Sequence, residues 1–294
     1  MEKIQTSDIP PVRLAFRISY LGDHFFGSQM QAGKRTVEGE FIAACIRCRL
    51  FFDYHRAGFL SAGRTDRGVH SRGQIVAFST ESPDRAVSAL NWQLPPDCFV
   101  TGVAVVPPEF HPRYDARSRT YRYYFGRHDL DAPAMDRAAH HFTGTHDFSP
   151  FARVRDKNPV RTVISSSVSE DDGFYFFEVT AKSFLWHMVR YMASALLQIG
   201  AGEKDGEIIA ARLSGDDTGQ ISPAPPGGLI LWNVDCGISF KPVQADRRTC
   251  AYLQEQLAHH AVMGMVCRTL GSDVAIADTA SGKKTPGKNG VTRK

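Results

Sequence analysis

The stretch SAGRTDRGVHSRGQIVAF, Ser61 to Phe78, leaves one run of strand character and enters another through a loop bracketed by Gly63 and Gly68. Glycine accepts the backbone angles of a tight turn, so such a loop can set Asp66 at the edge of a sheet, with Arg64 two residues before it. An adjacent guanidinium keeps a carboxylate ionised, and an ionised Asp held at a sheet edge can serve as nucleophile or base. The plainer reading is a turn aspartate, because Asp-x-Gly is common turn chemistry.

Outward from this loop, hydrophobic periodicity predicts a strand over Val12–Tyr20, a helix over Val37–Phe51, strands over Gly58–Ala62 and Gln74–Ser79, a helix near Asp84–Trp92 and a strand over Phe99–Val106. That order is βαββαβ, the ferredoxin-like unit. The order recurs in a strand over Ser118–Gly126, a helix over Ala134–His141, strands over Thr162–Ser169 and Phe174–Ala181, a helix over Phe184–Ile199 and a strand over Leu229–Asp235, with a short helix at Asp205–Leu213 before the last strand. The expected fold class is α+β, two ferredoxin-like halves with mainly antiparallel sheets. The halves are placed at residues 1–110, carrying the Asp66 loop, and 111–240, with RNA lying along the seam between the two sheets. A C-terminal helix follows at 241–272, drawn from a helical pattern at about Gln244 to Leu270. Residues 273–294 are small, polar and basic and are expected to be a disordered tail.

Composition narrows the class of partner. With 294 residues, 43% apolar and 22% charged, the chain has the make-up of a globular protein that needs no disulfide framework. It lacks the run of roughly 18 apolar residues that a membrane helix requires. The N-terminus MEKIQTSDIPPVRLAF is unlike an export signal, which needs a basic head and about 7–15 apolar residues; the expected location is the cytoplasm. Cys45 and Cys48 form a lone CxxC inside a helical pattern, with no second pair to complete the four ligands of structural zinc, so no metal or redox role is expected of them.

The formal charge of +4 is no evidence for nucleic acid, because five of the 35 basic residues follow Ser281, leaving 30 against 31 acids before it. Local clusters say more. Phe110–Arg127 holds Arg113, Arg117, Arg119, Arg122 and Arg127 among Tyr114, Tyr121, Tyr123, Tyr124 and Phe125, and Arg153, Arg155, Lys157 and Arg161 form a second group. Arginines for phosphates and rings for bases suit an RNA-binding face; a charged loop beside a strand with buried tyrosines fits the same letters. In the Phe184–Ile199 segment, Leu185, Met188, Val189, Met192, Leu196 and Ile199 make one buried stripe, with Ser183 as N-cap and Gly200 as stop. His187, Arg190 and Ser194 share another face.

These stretches together resemble the tRNA pseudouridine synthase A (TruA) family. GRTDRGVHSRGQ is similar to that family's GRTDAGVHA-x-GQ, and seven further stretches match the family in its order along the chain, two before this motif and five after it: ISYLGDHFFGSQMQ, RTVEGEF, LNWQLPPDCFV, FHPRYDARSRTYRYYF, HDFSPF, SFLWHMVRYM and APPGGLILWNV. The resemblance spans about Leu14 to Val234. It implies a pseudouridine synthase fold and an enzyme that converts uridine to pseudouridine in the tRNA anticodon stem-loop, at positions 38, 39 and 40, without cofactor or metal, as a homodimer. It assigns Asp66 as the catalytic aspartate, Arg64 as its neighbouring arginine, Tyr121 as the ring stacked on the target uracil, and Arg190 as the arginine of the MVR helix. Arg67 stands where the pattern has Ala, Trp186 replaces the first His of FLHHMVR, and GSQMQ replaces GWQ-x-Q.

The chemistry is consistent with those assignments. Isomerisation breaks the bond from uracil N1 to ribose C1′ and rejoins the ring through C5, so the detached base must be held and rotated. One carboxylate suffices, whether it attacks C1′ or C6 or removes a ribose proton. A stacked base must first be flipped out onto a receiving ring. Two other classes compete: a non-catalytic protein of two RRM-like halves, disfavoured because no segment fits the RNP1 pattern, and a hydrolase that uses Asp66 to release free uracil, for which a second carboxylate is wanted.

Overall fold

Strand β1 (Val12–Tyr20) is buried along nearly all its length, the pattern of a central strand covered on both faces. It is flanked antiparallel by β3 (His70–Thr80) and β4 (Cys98–Val105). The computed structural model describes residues 10–126, 129–154, 158–217 and 219–272; the expected disordered tail lies outside the described residues. Helix α1 (Val37–Arg47) is capped by Thr36, whose side chain accepts from Gly39 N–H. It lies with α2 (Pro83–Gln93) over one face of these strands. Phe16, Phe41 and Phe78 meet there, Phe16 and Phe78 with centroids 5.4 Å apart. Helix α1 stops short of the expected Phe51 because Arg49 takes a left-handed backbone, φ 54°. Strand β2 is only Leu60–Ser61, paired to β3.

The later strands are β5 (Ser118–Tyr124), β6 (Gly144–Asp147), β7 (Val160–Asp171), β8 (Phe174–Ala181), β9 (Leu229–Asp235) and β10 (Lys241–Pro242). Helices α3 (Ala132–Ala139) and α4 (Met188–Gly200) close a second core around Phe142, Phe148, Phe151, Phe177 and Leu196. Helix α5 is Ile208–Ser214. The architecture is α+β with one large, mostly antiparallel sheet, in the order β10-β4-β1-β3-β9-β5-β8-β7-β6, with β2 paired to β3 off this path.

Where the sequence suggests two sheets with a groove between them, the structure has one. Strands β3 and β9 pair in parallel, His70 with Ile230 and Ser71 with Leu231, so the seam is a strand pair inside a continuous sheet. Gly73 permits that approach: a Cβ there would lie 2.6 Å from the Trp232 carbonyl oxygen. Gly73→Ala is therefore expected to destabilise the protein by about 1–3 kcal/mol through forced backbone movement. An unchanged thermal midpoint would show that the seam yields without cost.

Helix α4 begins at Met188 rather than Phe184, so Ser183 is not its cap; that position belongs to His187, in the left-handed region at φ 63°. The stripe still reads as buried from Leu185 to Ile199. Leu185 is covered by tertiary packing ahead of the helix, and its carbonyl accepts from Met188 N–H. The described residues up to Cys250 form one compact unit, and those from Ala251 a second, comprising the body of α6 (Arg247–Ser272). Among the described residues, no helix is long and apolar enough to cross a membrane.

Candidate active site

The Asp66 loop is fixed from both sides before any side chain is considered. Thr65 N–H donates to the Ser28 hydroxyl at 2.8 Å, Ser28 N–H returns a bond to the Thr65 carbonyl, and the Tyr20 and Thr65 hydroxyls lie 2.8 Å apart. The Asp66 carbonyl accepts from Val69 N–H, closing a turn in which Gly68 takes φ 78°, a value that glycine reaches without a Cβ penalty. Gln74 Nε2 donates to the Gly63 carbonyl. The residues singled out as a Gly-bracketed loop thus hold Asp66 at the mouth of a cleft of roughly 870 Å³.

Three side chains from the entry to α4 surround the carboxylate. Trp186 Nε1–H donates to Oδ1 at 3.1 Å. His187 Nε2 lies 3.3 Å from Oδ2, and an Arg190 guanidinium nitrogen 3.8 Å from the same oxygen. Arg190 is itself held by donating from Nε to the Ala224 carbonyl at 2.7 Å, with its side chain only 13% exposed. Arg64 lines the same cleft with an exposed side chain, but it forms no ion pair with Asp66. The cation beside the carboxylate comes from the other sequence half.

Tyr121 lines the cleft between these groups, its ring edge-on to Phe184 at 5.1 Å. Burial, reinforced by the nearby Asp66 charge and opposed by Arg119, pushes its hydroxyl up to about 12; the phenol is protonated at neutral pH. Burial likewise lowers the pKa of His187, with Arg190 and Arg153 acting in the same direction and Asp66 opposing them. Nε2 is the ring nitrogen that faces Asp66, and buried Nδ1 has no hydrogen-bond partner.

The lowered value has a sign. The folded state takes up the His187 proton less readily than the unfolded chain, so stability is lost as pH falls below the ordinary histidine value of 6.5. His187→Gln, which cannot titrate, is expected to lose less thermal stability than the parent between about pH 6.5 and pH 5. Parallel midpoint-versus-pH curves for the two proteins would contradict this.

The arginine clusters divide on inspection. Strand period two sends Tyr121 and Tyr123 to the helix side of β5 and Arg122 to the other. Arg122 pairs there with Glu178 at 2.6 Å and lies over Trp232. Arg119 donates to the carbonyls of Lys182, Ala62 and Arg113, bracing the cleft wall rather than standing free for phosphate. Arg113, Arg153 and Arg161 line the cleft, while Arg127, Arg155 and Lys157 lie outside the described residues. Cys45 and Cys48 are buried in the α1 core, where burial raises both thiols, and among the described residues no cluster of three or more His, Cys, Asp or Glu could hold a metal ion.

In the sequence Trp186 stands out only as a departure from the family pattern, and His187 only as a neighbour of Arg190 on one helix face. Both touch Asp66. Their closeness to Arg190 along the chain was the available signal.

A family model described as tRNA pseudouridine synthase matches residues 138–235, a span that includes Arg190 but neither Asp66 nor Tyr121. Curated relatives extend over both halves. The chain is 53% identical over 262 residues to tRNA pseudouridine synthase A of Methanosphaerula palustris, covering 88% of this chain and 94% of that one. It is 50% identical over 268 residues to the protein of the same name from Methanoculleus marisnigri, covering 91% and 99%. The Thermococcus onnurineus protein of that name is 44% identical over 234 residues, covering 78% and 87%.

Proposed function

The chain belongs to the tRNA pseudouridine synthase A family, and from that premise we propose that it acts on the anticodon stem-loop of tRNA, at positions 38, 39 and 40, with Asp66 as catalytic nucleophile. The coarser statement needs no proposal: it is an enzyme that isomerises uridine in tRNA to pseudouridine. The observation that carries the reading of Asp66 is the convergence on its carboxylate of Trp186, His187 and Arg190, in a cleft that also holds Tyr121; the anticodon positions are what the family resemblance implies.

In this reading the target uridine is flipped out of its stack and its ring rests on Tyr121. The Asp66 carboxylate, beside Arg190, adds to the nucleoside; the N1–C1′ bond breaks, the uracil turns, the C5–C1′ bond forms, and the bond to Asp66 breaks again to free the carboxylate. The C5 hydrogen leaves as a proton and N1 gains one, so atoms balance without any cofactor. Arg64, Arg113 and Arg153 at the cleft rim supply charge for the RNA backbone. We read the strand orders β4-β1-β3-β2 and β9-β5-β8-β7 as two ferredoxin-like units, a view supported by their common order 4-1-3-2 when the short edge strand β6 is set aside and the other four strands of each half are counted along the chain. The halves at 1–110 and 111–240, the helix region at 241–272, a homodimer and a cytoplasmic location belong to the same proposal.

Tritium release from tRNA labelled at uracil C5 tests the reaction, because isomerisation replaces that hydrogen whereas binding or glycosidic hydrolysis does not. Mapping the modified positions then tests the site. Release of free uracil, or modification confined to uridines outside the anticodon arm, would overturn the corresponding part.

A further inference from the structure

We propose that Trp186 is a positioning residue for the reaction, fixing the plane of the Asp66 carboxylate by donating its indole N–H to Oδ1. This rests on the reading of Asp66 as the catalytic carboxylate. His187 Nε2 at 3.3 Å and an Arg190 guanidinium nitrogen at 3.8 Å stand beside Oδ2 as charge partners without a well-formed hydrogen bond, and leave the carboxylate free to swing about its last single bond. The Trp186 hydrogen bond to the other oxygen, at 3.1 Å, removes that freedom. Because the indole is neutral, it orients Oδ1 without setting a second full positive charge against a group that must donate electrons.

Trp186 is itself built in. Arg153 N–H donates to its carbonyl at 3.0 Å, an isolated bridge between the two segments. The Arg153 guanidinium lies 5.4 Å from the indole centroid, and the His187 ring packs against the other end at 4.7 Å. The left-handed backbone at His187 turns the chain so that positions 186, 187 and 190 all face Asp66, where a helix continued back to residue 184 would spread positions 186 and 187 about 100° apart. Strained conformations of this sort persist where surrounding structure enforces them. A donor misplaced by about an ångström can cost roughly a hundredfold in rate, which is what this arrangement prevents.

The test separates orientation from binding. Trp186→Phe keeps an aromatic ring and deletes the donor; replacing Trp186 by 3-benzothienylalanine, with sulfur in place of N–H, keeps the full ring shape and covers the case in which the Phe variant does not fold. In both, kcat for pseudouridine formation is expected to fall at least about tenfold, the worth of one hydrogen bond to a charged group, with KM for tRNA little changed. A parental kcat in the benzothienyl variant overturns the proposal, as does a raised KM with unchanged kcat, which would make Trp186 an RNA contact. Asp66→Asn run alongside keeps the two ideas apart: if that variant is active, the assignment of Asp66 fails. If it is inactive while the benzothienyl variant is fully active, only the role of Trp186 fails.

Discussion

Asp66→Asn is expected to abolish pseudouridine formation while binding tRNA within about tenfold of the parent, roughly 1.4 kcal/mol. The amide has nearly the carboxylate's volume, and the loop that carries it is held by backbone and hydroxyl contacts at Ser28, Thr65 and Val69, none of which involves the side chain. Its oxygen can still accept from Trp186. Its nitrogen faces His187 Nε2, which can accept there in the tautomer protonated on Nδ1, at the modest cost of a buried N–H without a partner. Folding should therefore survive, but an amide is neither a useful nucleophile nor a base at neutral pH. Pseudouridine mapping and a filter-binding isotherm on the same preparation decide the matter: a folded variant that isomerises uridine at the parental rate would remove Asp66 from the chemistry.

The second large effect concerns Tyr121. Truncation to Ala should cost roughly 1–3 kcal/mol of base stacking once the uridine is extruded, a loss of up to about a hundredfold in turnover. It also strips the edge-on partner from Phe184. Tyr121→Phe keeps the ring and that contact, and is expected to retain tRNA binding. Because burial keeps the native hydroxyl protonated, any fall in turnover for the Phe variant reports the O–H as a proton donor or hydrogen-bond partner rather than as a phenolate. Equal, parental turnover by both variants would place Tyr121 outside the reaction.

How far the sequence could be read depended on where tertiary packing intervened. Strands β1, β8 and β9 begin and end where periodicity puts them, because their apolar runs are bounded by Gly, Pro or charged turns. The start of α4 was misplaced because a buried leucine looks the same to a periodicity count whether it lies in a helix or in a loop packed down ahead of one. Strands β6 and β10, written GTHD and KP, carry no alternation to detect; edge pairing alone makes them strands. Asp66 was legible because glycines marked its turn. Of its partners, Arg190 was named through the family resemblance, but Trp186 and His187 were not, since the left-handed residue that aims them is a histidine, a residue that advertises no such conformation. The arginine-rich strand was legible in composition, while alternation sets Arg122, paired with Glu178, on the opposite face from Tyr121.

The two-residue parallel pairing of β3 with β9 sets the timetable on which this enzyme becomes competent. Ser71 and Leu231 stand 160 residues apart in the chain, so the contact has high sequence separation and forms late, after its loop-closure entropy has been met. At ribosomal speeds of about 5–20 residues per second, the strand that carries the Asp66 turn leaves the tunnel roughly 8–30 s before β9 can dock. Over that interval the nascent chain has its carboxylate but lacks, for most of the time, the Trp186–His187–Arg190 cradle. A chain stalled before residue 186 thus carries the aspartate turn without the Trp186, His187 and Arg190 side chains that surround its carboxylate in the finished protein.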